Sequence, residues 1–334
     1  MTEKIDFVVT WVDGNDLAWR EEHNHYAKLE HKEVDNIDVR FRDWDNLKFW
    51  FRGVEQFAPW VNKIYFVTYG HLPEWLNTDN PKLQIVKHTD FIPKEYLPTF
   101  NSFVIEYFFH KIEGLSEYFV YFNDDMFLID HVTSSRFFRK GLPCDIGGMT
   151  FNFHGGMFGA SVLLAKTLIN EHFNKQEVVL KSLSKWFNMR YLSQSVQNLL
   201  CSIVRRKEFT GFTNPHIPQA YLKKLYEVVW SNCEKDLKRT CSNKFRSYGD
   251  VCHWVIRYWQ LASNYFTPCN VYKDGIYYLI DDSNASEVAK CISQQKKKMI
   301  CINDSDDILN FERVKGVIME AFEEILPEKS QFEK

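Results

Sequence analysis

Asn123-Asp124-Asp125 breaks a run of aromatic and aliphatic residues that extends from Tyr118 to Ile129. Such a run reads as a buried strand, where carboxylates cost free energy unless they are paired or bound to a cation. Acids clustered at a strand end can hold magnesium or manganese against a diphosphate, because both are hard ions that prefer oxygen ligands. The same three residues also suit a polar turn between two short strands, since Asn and Asp favour turns.

Further segments join rigid, polar and aromatic residues. In Thr10-Trp11-Val12-Asp13-Gly14-Asn15-Asp16 an indole stands beside two acids. Trp11 could stack on a base or sugar and Asp13 could bond a ribose hydroxyl; a core tryptophan and a turn aspartate are the plainer reading. Arg40-Phe41-Arg42-Asp43-Trp44 puts two arginines before a helix start. The planar guanidinium fork suits phosphate, although pairing with Asp43 would also satisfy it. Pro98-Thr99-Phe100-Asn101-Ser102 offers polar side chains at a helix N-terminus, which can bind an anion or simply cap the helix. In Asn214-Pro215-His216-Ile217-Pro218 a histidine sits between two prolines, a stiff backbone that suits a residue held in position. Arg246 in Phe245-Arg246-Ser247, and the Asn303-Asp304 pair after Cys301-Ile302, are polar groups that follow apolar stretches. No P-loop, dinucleotide fingerprint, zincin or nucleophile-elbow motif occurs.

These groups need elements to hold them. At 334 residues the chain can bury a large core. Ile5 to Trp11 predicts a strand ending in the acidic loop. Asp43 is expected to cap a helix whose apolar face is Leu47, Trp50, Phe51, Val54 and Phe57, with Pro59 as its stop. Residues 64–68 and 83–86 read as further strands. Asn101 is expected to cap a helix carrying Ile105, Phe108, Phe109 and Ile112, with Gly114 past its end. Alternating strands and helices predict an α/β layer with a mainly parallel sheet and flanking helices. Ligands bind beyond the carboxyl ends of such strands, so the loops after Trp11 and Phe122 should share one edge. The rest reads as largely helical, over 161–173, 193–205, 218–230, 250–262, 286–292 and 313–326, with a strand pair near 271–280 and 299–302. The division is a first region, 1–150, and a mostly helical second, 151–334, working as one unit.

Aromatics make up 16 % of the chain, enough for a sugar- or base-stacking surface, though core packing also uses them. The net charge of -3 implies no strong attraction to nucleic acid or anionic lipid. Met1-Thr2-Glu3-Lys4 leads straight into a strand, and no apolar stretch is long enough to span a bilayer. The expectation is a cytoplasmic protein, with a peripheral place at the inner face of the membrane compatible with it. The eight cysteines include no CxxC pair and are expected to be free thiols.

Taken together, the segments resemble the Stealth family of polysaccharide phosphotransferases. Ile5 to Asp16 looks like the first of the family's conserved regions. Arg40 to about Ile129 looks like the second, including Arg42-Asp43, Gly70-His71-Leu72-Pro73 and Asn123-Asp124-Asp125-Met126. Pro215-His216-Ile217-Pro218 through Phe245-Arg246-Ser247 resembles the third, and Cys301-Ile302-Asn303-Asp304 the fourth. The family includes bacterial capsule enzymes and the catalytic part of the animal phosphotransferase that tags lysosomal enzymes. A bacterial capsule or exopolysaccharide enzyme is the member implied, because the animal proteins' insertions and membrane segments are missing here.

The resemblance implies a GT-A-like nucleotide-sugar region and transfer of a sugar 1-phosphate from a nucleotide sugar to a glycan hydroxyl, the glycan being free or lipid-linked. It implies that Asp125, with Asp124 or Asn303 and Asp304, holds magnesium or manganese. Arg246 and Arg42 would pair with phosphoryl oxygens and His216 would be the general base, with one of the two acids as the alternative. Trp11, Asp13 and Gly14 would line the nucleotide pocket, with Asn101 and Asn123 as further donor contacts. Two other readings stand beside it: a metal-dependent glycosyltransferase that releases nucleoside diphosphate, and a non-catalytic glycan-binding module.

Overall fold

The computed structural model describes residues 3–30, 42–153 and 155–334. At its centre is a five-stranded sheet of strands β1 (Ile5–Trp11), β2 (Ile64–Thr68), β3 (Leu83–Lys87), β4 (Tyr118–Phe122) and β6 (Gln219–Leu222), in the order β3-β2-β1-β4-β6. The first four run parallel, with Phe7 beside Ile64 on one side and Val120 on the other, and β6 is antiparallel to β4. β2 is buried along its length, as expected of a parallel strand covered on both faces. Asp6 is buried at the start of β1, yet it accepts from Asn62 Nδ2 at 2.6 Å, Ser116 N at 2.8 Å and Lys63 N at 3.1 Å. Its charge is thereby satisfied, and the sheet tolerates it.

The run from Tyr118 to Ile129 is two strands rather than one. At Asn123–Asp125 the chain leaves the central sheet and enters β5 (Met126–Leu128). β5 pairs antiparallel with β8 (Met299–Asp304), which pairs parallel with β7 (Gly275–Ile280). The acid segment is therefore both a turn and a strand end. Its crossing brings the far C-terminal strand to it: Ile302 N donates to the Asp125 carbonyl at 2.9 Å.

Helix Leu47–Phe57 covers the junction. A Cβ at Gly53 would come within 2.6 Å of the Leu128 carbonyl oxygen, so glycine is what lets the helix lie this close to β5. The helix follows Asn46 rather than the expected cap Asp43, whose Oδ1 instead accepts from Asp45 N at 2.7 Å. Two other elements depart from expectation. Residues 219–222 are a strand, and the helix begins only at Lys223 and runs to Cys241. All of Gln219–Leu222 is buried against β4, and pairing to that edge outweighs any local helical preference. Leu17–Leu29 forms an unexpected helix that buries Trp19, His23 and Ala27, with Asp16 capping it through Trp19 N at 2.7 Å.

The eight cysteines are all buried free thiols. No helix among the described residues is long and apolar enough to cross a membrane. The second half is tied to the first by a buried ion pair. Arg257, on helix Trp254–Ala262, donates Nε to Asp145 Oδ2 at 2.7 Å and Nη2 to Oδ1 at 2.8 Å. Its Nη1 donates to the Thr213 carbonyl at 2.8 Å. Arg257→Leu would leave Asp145 charged and buried without its partner, and is expected to cost about 3–5 kcal/mol in urea unfolding. A loss below about 1 kcal/mol, the size usual for a surface pair, would show that the pair does not hold the halves together.

Candidate active site

A cleft of about 380 Å³ opens beyond the C-terminal ends of β1 and β4. This is where the crevice of a parallel sheet is expected. Trp11, Asp13 and Gly14 line it from the loop after β1, and Asn123, Asp124 and Asp125 from the loop after β4. Arg42, Arg246, Asn303 and Asp304 complete the wall. Residues from the two ends of the chain thus meet in one place. Arg40 lies outside the described residues.

Asp125 is the centre of this arrangement. Its Oδ2 accepts from Asn303 Nδ2 at 3.0 Å and lies 3.8 Å from His216 Nε2, beyond a hydrogen bond. Its Oδ1 is buried without a hydrogen-bond partner among the described residues. Enclosure by protein would raise the Asp125 pKa, but His216, Asn303 and the Cys301 thiol outweigh it and hold the carboxyl below its ordinary range. Asp124 goes the other way. It is open to water in the cleft yet surrounded by cleft walls, and this desolvation plus the Asp125 charge pushes it up to about 7. Adjacent carboxyls pushed apart in this way leave one reliably ionised and the other able to exchange a proton near neutrality.

One group of side chains among the described residues has the spacing to hold a cation, and of the two adjacent acids it contains Asp125 and not Asp124. Asp125 Oδ1 lacks a partner, and the ligand atoms of Asp125, His216 and Cys301 lie within 4.8 Å of one another. Burial and the neighbouring acids hold the Cys301 thiol well above its ordinary pKa, which leaves the Asp125 carboxylate and the His216 imidazole as the donors, and of these only the Asp125 oxygens suit a hard ion such as magnesium. Asp304 is already engaged. Arg42 grips it through both nitrogens of its fork, each at 2.5 Å, and Trp44 Nε1 donates to it at 3.1 Å. The two residues assigned from sequence to metal and phosphate are therefore joined to each other, and either must leave the other to take up that role.

Arg246 faces the same cleft. Its Nη2 donates to Ser102 Oγ at 2.5 Å, and the guanidinium lies 4.7 Å from the Phe103 ring centre. Asn101 does not reach the cleft lining. It is buried, caps helix Ser102–Tyr107 through Phe103 N at 3.2 Å, and donates to Asp250 Oδ2 at 2.8 Å. The His216 loop is braced on every side. Gln219 Nε2 donates to the Pro215 and Ile217 carbonyls, each at 2.8 Å, and Tyr258 OH donates to Asn214 Oδ1 at 2.8 Å. The imidazole stands edge-on to Tyr277 at 5.5 Å.

Several positioning residues were given no role from the sequence, although His71 stood in the Gly70-His71-Leu72-Pro73 segment of the resemblance. His71 Nε2 accepts from Asp13 N at 2.7 Å, so a neutral imidazole holds the acidic loop, and burial lowers its pKa accordingly. Beneath the cleft, Tyr121 OH donates to Glu106 Oε1 at 3.0 Å and meets Thr10 Oγ1 at 3.2 Å, while His253 Nδ1 pairs with Glu106 Oε2.

Residues 3–28 match the family model described as Stealth protein CR1, conserved region 1, and residues 40–144 match Stealth protein CR2, conserved region 2. The chain is 41 % identical over 334 residues to a capsular polysaccharide phosphotransferase, WcwK, of Streptococcus pneumoniae, covering 99 % of this chain and 98 % of that one. The chain belongs to the Stealth family. An exopolysaccharide phosphotransferase, cps2G, of Lactiplantibacillus plantarum is 37 % identical, with 99 % and 96 % of the two chains covered. Among solved structures, the apo form of the bifunctional glycosyltransferase WbbM overlaps with a TM-score of 0.39 at 10 % identity, covering 96 % of this chain and 50 % of that one. That likeness is too low to carry an argument. In this Stealth chain both matched regions contribute to the cleft, the first through the Asp13 loop and the second through Arg42 and the Asp124–Asp125 turn.

Behind the acidic loop, His88 is buried with no partner for Nδ1 among the described residues, and burial plus nearby His71 lowers its pKa to about 3. The unfolded chain takes up this proton near pH 6.5 and the folded chain only near 3, so stability falls as pH drops through that window. His88 alone is expected to cost about 2 kcal/mol between pH 7 and 5. Urea titrations of His88→Asn should show a shallower loss. An unchanged slope would remove His88 as its source.

Proposed function

We propose that this chain transfers a sugar 1-phosphate from a nucleotide sugar, most simply a UDP-sugar, to a hydroxyl of a glycan during capsular or exopolysaccharide synthesis. One observation carries the reading. The acid pair and Arg246 line a single cleft, and His216 stands 3.8 Å from Asp125, in a chain that is 41 % identical, nearly end to end, to a named polysaccharide phosphotransferase.

The acceptor oxygen attacks the sugar-bearing phosphorus, and the bond from that phosphorus to the bridging oxygen breaks. The nucleoside monophosphate leaves, UMP for a UDP donor, and a phosphodiester remains. Asp125 and Asp124 would hold magnesium or manganese, which would neutralise diphosphate charge. Arg246, already in the cleft, would pair with phosphoryl oxygens through its fork. Trp11, Asp13 and Gly14, with Asn123, would bind the nucleotide end. His216 would take the acceptor proton, and the charge on Asp125 3.8 Å away would stabilise the imidazolium that results. Asp124, pushed up to about 7, is the second candidate for that proton.

Incubation with a panel of nucleotide sugars and acceptor glycan is expected to release a nucleoside monophosphate and place phosphorus in the product. Release of a diphosphate with a phosphorus-free linkage would instead make the chain a glycosyltransferase, and glycan binding with no turnover would make it a binding module.

Asp125→Asn is expected to abolish turnover while the protein stays folded. Excess chelator should do the same to the native chain, and full activity in either case would remove the metal role. His216→Ala and Arg246→Ala should each lower turnover by at least about 100-fold. Donor affinity should fall in the arginine variant and hold in the histidine variant. Near-normal turnover in His216→Ala would shift the base assignment to Asp124.

A further inference from the structure

Helix Leu192–Ile203 is built inside out. The residues it buries are polar apart from Cys201: Gln194 Nε2 donates to the Met149 carbonyl at 2.8 Å, and Asn198 Nδ2 donates to the Gly147 carbonyl at 2.6 Å. The opposite face carries Leu192, Val196, Leu199, Leu200 and Ile203, whose spacing makes one helical stripe. Each is between 54 % and 67 % exposed, and Met189 just before the helix is 81 % exposed. Isolated exposed leucines need no explanation, but a continuous stripe on one helix does.

The charge around the stripe names its occupant. From Val178 to Lys207 the chain has no Asp or Glu, although it carries Lys181, Lys185, Arg190, Arg205, Arg206 and Lys207. Lys185 is used internally, on the Asn264 carbonyl, and Arg205 pairs with Glu208. Lys181, Arg190, Arg206 and Lys207 are exposed on the segments that flank the helix. The net charge of -3 conceals this local basic rim. An apolar helix face with cations beside it suits an anionic bilayer, which accepts the side chains among its acyl chains and the charges among its headgroups. A second copy of the chain fits poorly, because a symmetric contact through this face would set its arginines and lysines against their own kind.

We propose that the Leu192–Ile203 face docks the protein on an anionic membrane surface. The helix's buried side is joined to the loop that leads to His216 beside Asp125, since Thr213 Oγ1 donates to Gln194 Oε1 at 3.0 Å three residues before His216. Docking would therefore fix the bearing of the cleft relative to the lipid plane. The proposal does not depend on the transfer chemistry.

Flotation of the full chain with phosphatidylcholine vesicles, with and without phosphatidylglycerol, tests it. Binding is expected only with phosphatidylglycerol and should weaken as salt rises. Val196→Ser, Leu199→Ser and Ile203→Ser together should abolish binding without lowering the melting temperature, since all three side chains are exposed. Arg190→Gln, Arg206→Gln and Lys207→Gln together should lower partitioning about 100-fold, from roughly a factor of five per charge. No flotation with phosphatidylglycerol vesicles, or undiminished flotation of the serine variant, would overturn the proposal. So would a stable dimer in sedimentation that the serine variant dissolves, which would assign the face to a second copy.

Discussion

Two carboxylates on neighbouring residues repel, and this fold has to keep Asp124 and Asp125 side by side at the mouth of its sheet. It does so by giving them unequal surroundings. Asp125 is drawn toward His216, Asn303 and Cys301 and stays ionised, while Asp124 faces the cleft with its pKa pushed up to about 7. The arrangement depends on the chain crossing between sheets at this turn, because only β8 brings Cys301 and Asn303 within reach of Asp125. Gly53 is part of the same constraint, since it allows helix Leu47–Phe57 to close over β5.

The supports around the turn are mostly polar and mostly paired. Arg42 and Asp304 neutralise each other at one wall, and His71 fixes the loop carrying Asp13 at another. The Arg257–Asp145 pair, joined to the Thr213 carbonyl, sets the loop that leads to His216. Such pairs gain little net stability once desolvation is counted, but each specifies a geometry. For the polyanionic donor proposed above, fixed dipoles and ion pairs would serve the cleft better than side chains that reorganise on binding.

Much of the site was legible because its residues are conspicuous types at strand ends. Trp11, Asp13, Asn123, Asp124 and Asp125 follow strands whose apolar, β-branched and aromatic content is plain, and a parallel sheet collects such ends on one edge. Asn101 was ambiguous by type, and the structure uses it as a buried cap bonded to Asp250. Glu106 and His253 gave no signal of their own, and His71 stood out only as part of Gly70-His71-Leu72-Pro73, since a lone His or Glu says nothing of the partner it will meet. The strand at Gln219–Leu222 was misread as a helix start because its four residues continue into the apolar spacing of the helix that follows.

The sequence by itself determined the alternation of strands and helices, the acidic turn and the absence of an apolar stretch long enough to cross a bilayer, because hydrophobic period and turn chemistry are local properties. It also carried the Stealth resemblance, through motifs spread along the whole chain. Only the tertiary structure decided that Arg42 binds Asp304, that His216 stands 3.8 Å from Asp125, and that the stripe on Leu192–Ile203 faces outward. Each of these depends on contacts between segments far apart in the chain, and the side of an amphipathic helix that is buried is chosen by its neighbours. Here the neighbours are backbone carbonyls that need donors, so Gln194 and Asn198 turn inward and the leucines are left outside.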